Sequence, residues 1–152
     1  MSTPSLLKLL VEATAAVEGE LNQLLRARLG ADLRPVHYAV FRYLDPAGSR
    51  VTALAEAAGM TQQSMGELVA HLERFGYVAR EPDPADRRAR LIVATASGRA
   101  ALALAARHIH RIEQALAAEL GPESLDRLRA ALARVPAALG DPSDPPSESG
   151  RS

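Results

Sequence analysis

A mainly α-helical fold carrying one small β-hairpin is predicted by three observations on this chain. Apolar residues recur at helical spacing along most of its 152 residues. Two short runs with β-branched and aromatic content, Tyr77–Arg80 and Leu91–Ala94, flank a segment PDPADRRAR whose prolines and aspartates predict a stiff turn. Glycines stand where helices should stop, at Gly59 and Gly76, and supply the positive φ such stops require.

Each element can be justified in order. Thr3 and Pro4 read as a cap followed by proline at the first helical position, and Ser5–Leu29 runs helical behind them. Its apolar residues Leu6, Leu9, Leu10, Ala13, Val17, Leu21, Leu24 and Leu25 exceed what one face of a small monomer needs. A second helix is expected over Leu33–Leu44. Thr52 is placed to cap a short third helix that faces Leu54, Ala55 and Ala58 inward and ends at Gly59. Thr61 can cap the fourth, whose stripe Met65, Leu68, Val69 and Leu72 follows the i, i+3, i+4, i+7 rule for one buried face. After the hairpin, Thr95 can cap a long helix over about Ser97–Leu120. A last helix opens at Gly121-Pro122, with Leu125, Leu128, Leu132, Val135 and Leu139 at near-heptad spacing. Pro136 should interrupt it near Arg134 and leave a kinked extension to Leu139. The remainder, GDPSDPPSESGRS, is rich in Pro, Ser, Gly and Asp without an apolar anchor and is expected to be disordered.

Residues 51–94 therefore spell helix, glycine turn, helix, strand, arginine-bearing loop and return strand. That order is a winged helix-turn-helix, a shape that lays its second helix in the DNA major groove. The outward face of that helix carries Gln62, Gln63, Gly66, Glu67, Ala70, His71 and Arg74. Glutamine can pair bidentately with adenine, glutamate can accept from cytosine, and small residues allow close approach to base edges.

The segment from Leu33 to Leu102 resembles the MarR family of bacterial transcriptional regulators. The resemblance rests on the turn LAEAAGMTQQSM, the wing HLERFGYVAREPDPADRRARL and the following TASGRAAL, with Gly76, Tyr77, Arg80, Pro82, Asp86, Arg88 and Gly98 as its signature. The similarity extends over about residues 5–139. It implies that Arg88 enters the minor groove from the wing tip, that Asp86 orients it, and that Arg87 lies close to phosphates. The expected DNA-contacting set is Thr61, Gln62, Gln63, Ser64, Glu67, His71, Arg74, Arg87, Arg88 and Arg90. Glu67 stands where relatives often carry a basic or hydroxyl residue, so a relative's operator preference does not transfer.

The resemblance also implies a homodimer interlocked through residues 1–32 and 97–139, with the DNA-binding region at 33–96 and a tail at 140–152. Two-fold symmetry would set two recognition helices one turn of DNA apart and predict a pseudo-palindromic double-stranded operator. Members of the family often bind small aromatic or anionic effectors near the junction of these parts. Here His37, Tyr38, Phe41, Arg42 and His108 are the candidates, aromatic walls with one cation suiting a phenolic carboxylate. Repression relieved by such a ligand is the function expected.

Composition limits the alternatives. The formal net charge is zero, but residues 34–99 carry nine arginines against seven acids, so the excess of positive charge sits with the wing. Neutrality also keeps open a winged-helix dimer that acts through protein contacts without specific DNA binding. There is no cysteine, which excludes a disulfide framework and a thiol switch. His108 and His110 are two apart on a helix and cannot both ligate one metal, and no nucleophile arrangement or phosphate loop occurs. No enzyme, catalytic residue, metal or cofactor is expected. No apolar run reaches a membrane span and the N-terminus lacks a signal pattern, so cytoplasmic residence is expected.

Overall fold

A computed structural model describes residues 2–30 and 33–140; the predicted disordered tail lies, beyond Gly140, outside the described residues. The elements are α1 (Leu6–Leu29), α2 (Pro35–Tyr43), α3 (Val51–Ala58), α4 (Gln62–Arg74), β1 (Val78–Asp83), β2 (Asp86–Ala94), α5 (Ala96–Leu120) and α6 (Pro122–Leu139). The mainly helical class with a hairpin wing is the fold observed. Two compact units divide the chain, Met1–Ile112 and Glu113–Ser152.

In the first unit, α1 opens two residues later than Thr3-Pro4 suggested. Ser5 is its cap, accepting from the backbone N–H of Lys8 at 3.2 Å. Leu25 is the helix's one buried residue, while Leu6, Leu7, Leu9 and Val11 stand exposed. Helix α2 is shorter than Leu33–Leu44 because Pro35, with its fixed φ and missing N–H, sets the first helical position. Its cap is closed by His37, whose Nδ1 accepts from the Arg34 N–H at 2.9 Å.

The core of this unit is built from Leu33, Val40, Phe41, Leu54, Ala55, Met65, Val69, Leu72, Val78 and Ile92. Helices α2, α3 and α4 and both strands contribute to it. Met65, Val69 and Leu72 have no solvent exposure, so three of the four predicted stripe residues of α4 are fully buried; Leu68 packs partly buried against them. Each such side chain contributes about 1.5–3 kcal/mol through burial, which fixes the roll of α4 about its axis and with it the opposite face. Gly59 adopts the left-handed conformation at φ 64°, ψ 33° and turns the chain from α3 toward α4. Thr52 does not cap α3: the helix begins at Val51, with Arg50 in the cap position and no side-chain cap bond.

The hairpin is longer than its β-branched runs foretold. Strands β1 and β2 pair antiparallel from Val78–Ala94 through Pro82–Arg90 and again at Asp83–Asp86. The segment PDPADRRAR is thus mostly strand, and the turn itself is Pro84–Ala85. Exposed ribbon positions need no apolar residues, so composition could not reveal these strand ends. Ser49 adds a single bridge to Ile92, donating and accepting at 3.0 and 2.8 Å.

At the hairpin's base Thr95 caps α5 as expected, accepting from Gly98 N–H at 3.1 Å while its hydroxyl donates to the Gly76 carbonyl at 2.5 Å. A Cβ on Gly98 would stand 2.0 Å from the Tyr77 carbonyl oxygen, so only glycine lets the helix start this close to the wing.

The second unit holds the end of α5 and all of α6. Arg129 joins Glu113 at 3.3 Å and Asp126 at 3.0 Å. Helix α6 buries no residue, and Leu128, Leu132 and Leu139 are 46%, 39% and 83% exposed. Pro136 does not end it. Proline's φ is helical and its ring removes a single hydrogen bond, so the extension to Leu139 forms as helix.

Candidate nucleic-acid interface

Helix α4 is held by its buried stripe and by Thr61, whose Oγ1 accepts from the Ser64 N–H at 3.1 Å and whose hydroxyl donates to Ser64 Oγ at 2.9 Å. Gln62, Gln63, Ser64, Glu67 and Arg74 are exposed on the face opposite the core. Free backbone donors at the start of the helix and these side chains form a polar ridge. At the other end, Glu73 pairs with Arg80 of β1 at 3.3 Å and ties the helix to the hairpin.

His71 departs from the outward-facing expectation. It is half-buried, and its ring stacks on that of His37 at 4.0 Å with 11° between planes, while Phe75 lies 4.7 Å from it on a tilt. One face of the imidazole is thereby committed to α2. His37 itself is 5% exposed, and burial, then the neighbouring His71 and Arg34, hold its pKa below 6.5. A neutral His37 is what the cap geometry requires, since Nδ1 must keep its lone pair for Arg34.

The wing presents Arg87, Arg88 and Arg90, all exposed. Between the Pro82–Arg90 and Asp83–Asp86 pairs β1 advances one residue and β2 advances four, so Arg87, Arg88 and Ala89 bulge out of the ladder. Asp86 accepts from the backbone N–H of Arg88 at 3.0 Å. Asp86 therefore fixes the backbone that carries Arg88, through its amide and not its guanidinium.

Sequence reasoning missed the strongest contact of the wing. Arg50, at the start of α3, donates from Nε and Nη2 to one oxygen of Asp83, at 2.9 and 2.6 Å. The other oxygen of Asp83 accepts from Ala85 N–H at 2.9 Å. The amide of Ala85 first, and Arg50 second, hold the Asp83 carboxyl below its usual range, so it stays ionised. Asp83 is 8% exposed although it sits at the wing's turn. Nothing in a 33-residue separation announces such a pair.

The residues expected to form an effector pocket divide: two line one cleft and three do not. A cleft of about 20 Å³ lies between α1 and α2, lined by Glu18, Leu21, Asn22, Pro35, Tyr38 and Arg42, which is room for about one water. Tyr38 and Arg42 belong to it; His37, Phe41 and His108 do not line it. His37 is drawn to His71 and Phe41 to the core. His108 is buried on α5, with neither ring nitrogen hydrogen-bonded, and burial, then Arg111, Arg28 and Arg107, lower its pKa. Arg42 reaches Glu18 at 3.8 Å. The Tyr38 hydroxyl and Asn22 Oδ1 are buried without partners, and burial, then Tyr77, pushes the phenol pKa up to about 12. Among the described residues no group of three or more His, Cys, Asp or Glu is placed to hold a metal, and no helix is long and apolar enough to cross a membrane.

Comparison with known proteins places this geometry. Residues 31–89 match the MarR family. The chain is 44% identical over 75 residues to the transcriptional regulator HosA of Escherichia coli O111:H-, covering 49% of this chain and 56% of that protein. The chain thus spans little more than half the length of the curated relatives it matches. The solved structure of the transcriptional repressor CouR bound to a 23-mer DNA duplex superposes with a TM-score of 0.72 at 28% identity, over 86% of this chain and 92% of that one. CouR from Rhodococcus jostii RHA1 bound to p-coumaroyl-CoA gives 0.68 at 26%, over 84% and 88%. Sco3205 from Streptomyces coelicolor, a MarR family regulator in complex with DNA, gives 0.69 at 28%, over 91% and 92%. The motifs, the helix order and the hairpin wing agree with these likenesses: residues 31–89 match the MarR family, and the fold is that of winged helix-turn-helix regulators such as CouR and Sco3205.

Proposed function

We propose that this chain is a sequence-specific DNA-binding transcriptional regulator, a homodimeric repressor of a pseudo-palindromic operator that a small aromatic ligand releases. The observation that carries the reading is the exposed polar face of α4 beside a wing whose Arg87, Arg88 and Arg90 all stand free of the core. A helix with one face locked by Met65, Val69 and Leu72 offers its other face at a fixed angle, which base reading requires. Glutamines 62 and 63 suit adenine, and Glu67 suits cytosine. Arg88 suits a narrow minor groove. CouR and Sco3205, bound to DNA in their solved structures, support the same use of the fold.

Dimerisation is supported by apolar residues that the monomer leaves in water on α1, at Leu6, Leu7, Leu9 and Val11, and separately on α6, at Leu128, Leu132 and Leu139. A near-neutral protein gains little from nonspecific attraction to phosphates, so two linked half-sites supply the affinity that charge does not. An effector would occupy the cleft at Tyr38 and Arg42, displacing the Arg42–Glu18 contact and widening a space that now holds about one water. CouR's capture of p-coumaroyl-CoA is a precedent for an aromatic acyl compound in this family. The cytoplasm is the compartment this function calls for.

Titrating genomic DNA fragments against the purified protein at two salt concentrations tests the reading. A sequence-selective shift that weakens with salt is expected. Absence of any selective shift overturns it and leaves the fold to a role in protein contacts.

A further inference from the structure

Resting on the DNA-binding reading above, we infer that Arg50 and Asp83 are positioning residues for the wing, setting where Arg88 meets the minor groove without touching DNA themselves. The contacts form one relay. Arg50 is anchored at the start of α3, whose Leu54 and Ala55 lie in the core. Its guanidinium places two donors on one oxygen of Asp83, at 2.9 and 2.6 Å. The second oxygen of the same carboxylate closes the Pro84–Ala85 turn through Ala85 N–H at 2.9 Å. Asp86, the next residue of β2, then takes the Arg88 amide at 3.0 Å. The rigid helical body is thereby connected to the bulge that carries Arg88.

A two-stranded ribbon has few other means of holding its angle, being marginal on its own in water. Below the turn the ribbon is braced by the Ser49–Ile92 bridge, the Glu73–Arg80 pair and the buried Val78 and Ile92, whereas the residues from Pro84 to Arg88 at its tip are exposed. Asp83 is the buried exception. With its carboxyl held below the usual range it remains an anion, and the pair persists across neutral pH. Loss of the pair frees the wing tip to swing about the bulge, so Arg88 reaches DNA in many orientations instead of one.

The consequence is specific to one groove. Major-groove reading by α4 stays intact, while discrimination at the wing's flanking base pairs is lost. The experiment uses the full chain and a duplex selected by the wild-type protein from random DNA. In a matched duplex, 2,6-diaminopurine replaces adenine, or inosine replaces guanine, at the flanking pairs; each change alters the minor-groove amino group and leaves the major-groove edge as it was. The wild type should discriminate between the two duplexes by about tenfold. Arg50→Met and Asp83→Asn, the latter keeping an acceptor for Ala85, should each bring that ratio to near one while still rejecting a major-groove mismatch. Arg50→Met/Asp83→Asn should be no worse than either single change, because both remove the same contact. Arg50→Lys, which keeps a cation at this point, should retain part of the ratio and guards against a misfolded Met variant. Wild-type discrimination persisting in Asp83→Asn or Arg50→Met overturns the inference. A wild-type protein that selects no DNA sequence overturns the DNA-binding reading instead.

Discussion

Residues 33–94 and the helices that flank them, α1 and α6, are built on opposite economies of apolar surface. The first buries its large apolar side chains within itself, with Val40, Met65, Val69, Leu72 and Ile92 all at zero exposure. The second group leaves them in water: α6 has no buried residue at all, and α1 has one. Periodicity alone does not separate these cases, since Leu128 and Leu132 repeat at the same spacing as Met65 and Val69. What differs is whether a neighbouring element of the same chain comes to meet the stripe. The segment at 33–94 packs its core chiefly against itself, with Leu29 and Leu102 alongside. The flanking helices leave their stripes exposed, as surfaces that the proposed dimer would cover.

The largest break in that comparison should come from the core. Leu72→Ala removes a fully buried side chain beneath α4 and should cost about 3 kcal/mol of unfolding free energy. Urea denaturation followed by circular dichroism reads this directly. The equivalent change on α6, Leu132→Ala, should move the monomer's stability by about 0.5 kcal/mol or less. Equal costs at the two sites would erase the distinction between buried and waiting stripes.

Next come two variants that should fail in complementary ways. Arg88→Ala should weaken operator binding by roughly a hundredfold, since both wings of a dimer lose their contact, and light scattering should still find a dimer. Leu128→Glu/Leu132→Glu should do the reverse at the level of assembly. Its charges would have to be buried unpaired in any interface across α6, so a monomer is expected at micromolar concentration with the helical spectrum preserved. Operator affinity would then fall only because the half-sites are no longer linked. A dimer surviving the double change would place the interface elsewhere than on α6.

The same contrast governs what could be read without a structure. The stripe of α4, the Thr61 and Thr95 caps and the glycine stops were legible because each depends on residues within one or two turns of one another. The caps of α1 and α3 were misplaced for a related reason: Thr3 and Thr52 have the right chemistry, but Ser5 and Arg50 occupy the positions where the backbone leaves the helical region. Capping is a statement about φ and ψ, and composition carries that only weakly. The hairpin's length and the Arg50–Asp83 pair were not legible, because exposed strands of charged residues carry no apolar alternation and the pair spans 33 positions. His37, taken as a wall of a ligand site, proved to serve the α2 cap and the His71 ring. A histidine beside aromatic residues in a sequence says nothing of which nitrogen is already spoken for.

The smallest expected effect concerns that histidine and tests how self-contained the segment at 33–94 is. His37 and His108 both have pKa values lowered from 6.5, in each case chiefly by burial. His37 faces His71 and Arg34, and His108 feels Arg111, Arg28 and Arg107, so neither has an anion to welcome a proton. As pH falls through 6.5 the unfolded chain takes up protons that the folded chain refuses, and the fold loses stability down to the lower folded pKa. Above 6.5 the two states bind protons equally at these sites and the effect vanishes. Melting temperature should therefore be flat around neutrality and fall by a few degrees toward about pH 5. His37→Gln retains a side-chain acceptor at the third helical position, where glutamine commonly closes a capping box, but cannot titrate. It should remove the part of the acid slope that belongs to the winged segment and leave the part from His108 on α5. An unchanged slope in His37→Gln would mean that the stacked pair tolerates a charge, and that the contact between α2 and the recognition helix is looser than a 4.0 Å stack implies.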